Sequence, residues 1–163
     1  MMAEEQARRA EAKAGVDHLI RQSELRHEYI VFNAVLLSLL PLLYSVAIFI
    51  YGDRLWRVGA GKPTVYSTAL ELPNAPESWG VLFMVLAVGV LISLFTRHDR
   101  ALALFSAVAA LVTSSFMVAF LTDLHSYDAP QAVPGAITYG VLSLAFFNLA
   151  RLAWVSARNK VRL

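Results

Sequence analysis

The stretch ALALFSAVAALVTSSFMVAFLT, residues 101–122, runs for 22 residues without a charge. At about 1.5 Å per residue, a helix of that length crosses the roughly 30 Å hydrocarbon core of a bilayer. Ser106, Ala110 and Ser114 recur in it every four residues, which sets three small side chains on one helical side where a neighbouring backbone can come close. Three further uncharged runs, 29–50, 79–96 and 129–150, hold 22, 18 and 22 residues. None shows the polar/apolar alternation of an outer-membrane strand, so their backbone polar groups must be satisfied within helices.

The predicted fold class is therefore all-α: an integral membrane four-helix bundle preceded by a cytoplasmic N-terminal helix at 1–28. Its spans fall at about 29–50, 79–96, 101–122 and 136–154, with outer loops at 51–78 and 123–135 and a basic cytoplasmic tail at 155–163. Composition points the same way. Of the 163 residues, 58% are hydrophobic and 16% charged, against about 45–50% and 25% in soluble domains. The absence of cysteine excludes disulfide-braced loops, thiolate metal sites and dithiol redox chemistry.

Orientation follows from Lys and Arg. Arg8, Arg9, Lys13, Arg21 and Arg26 precede the first span, Arg97 and Arg100 lie between the second and third, and Arg151, Arg158, Lys160 and Arg162 close the chain. Only Arg54, Arg57 and Lys62 fall on the other side. The positive-inside rule then places both termini in the cytoplasm. The first span has 28 polar or mixed residues ahead of it and no small-residue cleavage pattern after it, which predicts a retained anchor.

Residues 1–28 read as a solvated helix. Glu4/Arg8, Glu5/Arg9 and Asp17/Arg21 are favourable i,i+4 pairs, while Val16, Leu19, Ile20 and Leu25 make a patchy apolar stripe. Six acidic residues there offset five basic ones, and no concentrated basic face invites nucleic acid. In the first outer loop, Trp56, Tyr66 and Trp79 suit the membrane interface, Pro73 and Pro76 restrict the chain, and Asn74 with Glu77 has the spacing of a capping box. Asp123, His125 and Asp128 in the second loop offer oxygen and imidazole ligands but lack a fourth group, so no metal site is predicted. Pro130, Pro134 and Gly135 fit a turn.

The helix-packing candidates are Gly89 and Ser93 in the second span, Ser106, Ala110 and Ser114 in the third, and Ala136 and Gly140 in the fourth. Pro41 is a kink candidate, since it removes a helical N–H and frees a carbonyl. Asn33 and Asn148 are intramembrane polar residues at similar depth, placed to bond across the first and fourth helices.

No ionisable residue lies in the middle of a span, which argues against proton-coupled transport or ion conduction. His18, His27, His98 and His125 sit at span edges or beyond, which argues against an intramembrane bis-histidine haem. Residues 58–63, VGAGKP, have the look of a phosphate loop but not its glycine spacing, and Pro63 stands where Ser or Thr belongs. No nucleophile, base and orienting group can be assigned together, so an enzyme is not expected, and neither a cofactor nor a metal.

The segment Pro73-Asn74-Ala75-Pro76-Glu77-Ser78-Trp79-Gly80 and the four-span layout resemble small membrane proteins of actinobacterial phages and their hosts, some of them holin-like. That resemblance implies a holin-like role in the bacterial inner membrane, with no functional residue carried over by it; the first reading is accordingly a non-enzymatic, lipid-embedded bundle that self-associates through its small-residue helix faces and so permeabilises the membrane. The alternative from the residues is a membrane-embedded accessory or scaffold subunit that binds another protein, with the N-terminal helix as docking element.

Overall fold

The computed structural model describes residues 2–52, 54, 66–71 and 73–160; side chains at 2–5, 7–12, 14, 16–23, 26, 127, 159 and 160 are not described. Trp56, Arg57, Lys62, the 58–63 segment, Arg162 and the charge pairs at 4–9 and 17–21 lie outside what is described. Among the described residues four long helices carry the fold: α1 (Met2–Tyr51), α2 (Glu77–Phe95), α3 (Asp99–Tyr127) and α4 (Val133–Lys160), with 3-10 turns at Ala69–Glu71 and Pro130–Ala132. Four segments are long and apolar enough to cross a membrane: His27–Tyr51, Glu77–Phe95, Asp99–Ser126 and Pro130–Arg158, the last including the 3-10 turn that leads into α4. The protein is thus an all-α, four-helix membrane bundle.

α1 is one uninterrupted helix from Met2 to Tyr51, so no break sets residues 2–28 off from the first span. Pro41 lies inside it, denying Leu37 the usual i,i+4 donor while the helix continues. Gly52, at φ 50°, ends it: its N–H makes the last helical bond, to the Ile48 carbonyl at 2.7 Å, and its left-handed conformation turns the chain out of the helix.

The chain between α2 and α3 reverses in three residues. The N–H of Arg97 donates to Leu94 O at 3.1 Å and that of His98 to Ser93 O at 3.0 Å, the paired bonds of a Schellman motif. Arg97 takes the left-handed position at φ 56°, where glycine is usual. At the start of α2 the predicted capping box does not form. Pro76 is the N-cap and makes no side-chain cap bond, and Asn74, at φ 57°, instead accepts the Ser78 N–H on its carbonyl at 3.0 Å.

Contacts run α1 to α2, α2 to α3, α3 to α4, and α4 back to α1, with α3–α4 the most extensive. Two buried clusters fill the bundle. One, toward the end bearing residues 66–71, includes Ile48, Phe83, Leu86, Phe116, Phe120, Tyr139 and Phe146. The other, toward the α2–α3 turn, gathers Ile30, Ala34, Val90, Leu102, Leu149 and Ala153. The opposite faces, with Phe32, Leu43, Val85, Leu111, Ile137 and Leu144 exposed, present apolar side chains outward, as a lipid solvent requires.

Candidate functional site

Of the helix-packing residues singled out in the sequence, Gly89, Ser93, Ser106, Ala110 and Ala136 are buried and Ser114 and Gly140 are half-buried. A Cβ on Gly89 would stand 2.4 Å from two ring carbons of Phe105, so the glycine is what lets this ring of α3 lie against α2. Ser93, one turn on, is buried and returns its hydroxyl to Gly89 O at 2.6 Å. Between α3 and α4, Ser143 donates to Ala110 O at 2.9 Å and its oxygen lies 2.6 Å from Ser114 Oγ. Because the Ser143 hydrogen is committed to the carbonyl, the hydrogen shared between the serines belongs to Ser114. Ala136 is buried, and Gly140 sits under Met117, whose sulfur would be 3.0 Å from an added Cβ. Ser106 is fully buried and its hydroxyl has no partner among the described residues.

The expected Asn33–Asn148 bond is not formed. Asn33 donates its amide to Tyr29 O at 2.8 Å, four residues back in its own helix, and Asn148 is on an exposed face of α4. Sequence depth put the two at one level, but helical rotation turns Asn148 outward.

The most concentrated polar chemistry lies where the sequence placed a loop. Asp123 belongs to α3, which continues to Tyr127, and is fully buried. Its Oδ1 accepts two bonds from Thr68, from the N–H at 2.9 Å and from Oγ1 at 2.6 Å. Its Oδ2 is buried with no partner among the described residues. The expectation that Asp123 sits in an outer loop with His125 and Asp128 is therefore corrected: His125 and Asp128 are exposed while Asp123 turns into the bundle. Among the described residues no cluster of His, Asp and Glu is arranged to hold a metal.

Around this carboxylate the 66–71 segment folds over the bundle end. Trp79 Nε1 donates to Ala69 O at 2.8 Å, and Tyr66 meets Phe120 edge-on at 5.4 Å between ring centres. Beneath lies an aromatic stack: Phe116 contacts Trp79 at 4.3 Å, Tyr139 at 5.0 Å and Phe83 at 5.2 Å. Tyr44 meets Phe83 edge-on beside it, at 5.7 Å between ring centres. The signal for this site was present in the sequence as a lone Asp at a helix end and a run of aromatics four residues apart. Its partner Thr68 lies 55 residues away, beyond any local pattern. Chemically, the arrangement can fix the segment to the bundle through Asp123 and shield that bond from water.

The fold and these internal contacts define a multi-pass helical membrane protein. The chain matches no family model, no curated protein and no solved structure.

Proposed function

We propose that this chain is a non-catalytic membrane scaffold or accessory protein, with both termini in the cytoplasm of a bacterium, that binds another protein through the part of α1 outside the membrane. One observation carries the reading: α1 is a single helix of 50 residues, of which His27–Tyr51 is the part long and apolar enough to cross a membrane. The remaining half extends about 37 Å as a continuation of an anchored helix, which suits presentation of a docking surface at a fixed orientation. The small-residue faces do not compete with this reading, since they are occupied within one bundle.

A second reading, holin-like self-association, draws on the outward apolar face of α1, where Phe32, Leu36, Leu39, Leu43, Phe49 and Ile50 are exposed. A photo-crosslinking amino acid at Lys13 or Gly15 in living cells, together with membrane potential, separates the two. The scaffold reading expects a discrete adduct with a different protein and a steady potential as expression rises. A sudden collapse of potential at a threshold amount, with adducts only between copies of this chain, overturns it in favour of the holin-like one.

A further inference from the structure

An apolar groove of about 340 Å³ opens between the start of α3 and the end of α4, within the roughly 300–1,000 Å³ of ligand pockets. Leu104, Ala107 and Phe147 line it together with Arg100, Arg151 and Trp154. Depth along the helices follows from the antiparallel α3–α4 contacts. Met117 lies over Gly140, Ser114 meets Ser143, and Asp99 Oδ2 accepts the Ser156 hydroxyl at 2.9 Å. The same register sets Arg151 beside Leu104, about one helical turn further into the apolar span than Arg100. Among the described residues neither guanidinium has a hydrogen bond or ion pair, and the carboxylate next in sequence, Asp99, is engaged by Ser156.

The geometry points to this groove as a binding site for one anionic phospholipid. Its phosphate lies between Arg100 and Arg151, one acyl chain runs along Leu104, Ala107 and Phe147, and Trp154 packs at the level of the headgroup. Three observations favour a lipid over other occupants. Leu104 and Phe147 are each 63% exposed on the outward surface, where lipid is the solvent. A single arginine reaching for the headgroups needs no groove, whereas two on one apolar groove set a fixed place for a phosphate. A second copy presenting the same face in a two-fold contact would set arginine against arginine.

The test uses the full chain in detergent, titrated with equal amounts of dioleoylphosphatidylglycerol and dioleoylphosphatidylcholine and read by native mass spectrometry. The measured quantity is the ratio of the two adducts within one sample, which partial unfolding does not bias. A one-to-one adduct rich in phosphatidylglycerol is expected. Arg100→Gln and Arg151→Gln should each lower the ratio roughly fivefold, the corresponding Lys variants should keep most of it, and Ala107→Phe should reduce both adducts by filling the groove. Equal binding of the two lipids, an unchanged ratio in the double Gln variant, or a lipid-free dimer in place of the adduct overturns the proposal.

Discussion

At the residue scale, the strongest contrast is between two glycines that look alike in the sequence. Gly89 lies against the Phe105 ring at distances an added methyl cannot share, and the crowded atoms include the ring carbon nearest the backbone. Gly140 faces the end of the Met117 side chain, which can swing aside. Gly89→Ala is therefore expected to destabilise the bundle by about 1–3 kcal/mol and Gly140→Ala by much less, read as thermal midpoints in one detergent. Equal shifts would show that α2 and α3 do not meet at Gly89 as described. Arg97 supplies the opposite case. It holds a left-handed backbone at φ 56° that disfavours any residue with a Cβ, so Arg97→Gly should stabilise the α2–α3 turn by about 1 kcal/mol. A lowered midpoint would place the value of Arg97 in its charge instead. The spacing of the small residues was legible in the sequence, but which side chain fills each gap was not, because that depends on a helix elsewhere in the chain.

At the element scale, two attachments set how the pieces hold together. The α3–α4 pair is joined by Ser114, Ser143 and the Ala110 carbonyl inside the bundle. Ala110→Leu forces extra volume into that contact and should lower the stability of the single chain by about 1–3 kcal/mol. Loss of an oligomer with monomer stability intact would instead put the face between copies. The 66–71 segment is held by Asp123, whose Oδ1 takes both Thr68 donors. Asp123→Ala strands those donors, at about 1–3 kcal/mol, and should speed hydrogen exchange of the Thr68 amide while leaving the helices protected. Asp123→Asn keeps an acceptor oxygen and should slow that exchange back toward the native rate. An unchanged Thr68 amide in the Ala variant would mean the segment is held by the Trp79 and Tyr66 contacts alone. Helix α3 runs past its uncharged stretch with the carboxylate that ends that stretch buried against the two donors of Thr68, a contact no window of local hydropathy can register.

At the scale of the whole molecule, the lack of cysteine makes topology directly measurable with introduced thiols. Asp128→Cys should label from the side opposite His98→Cys and Lys160→Cys, and the uneven Lys and Arg distribution expects position 128 outside. Labelling of 98 and 128 from one side would break the four-span arrangement. The sequence by itself determined the class: four uncharged runs of sufficient length must become helices, because hydrocarbon leaves their backbone groups no partner but one another. It also determined which positions are small enough for close approach. Tertiary structure alone decided that these faces are spent within one bundle, that Asn33 bonds its own helix while Asn148 turns outward, and that Asp123 reaches a threonine 55 residues away. Length and hydropathy are sums over neighbours in the chain and survive any arrangement, whereas contact depends on helix rotation and register, which are fixed only when all four helices pack at once.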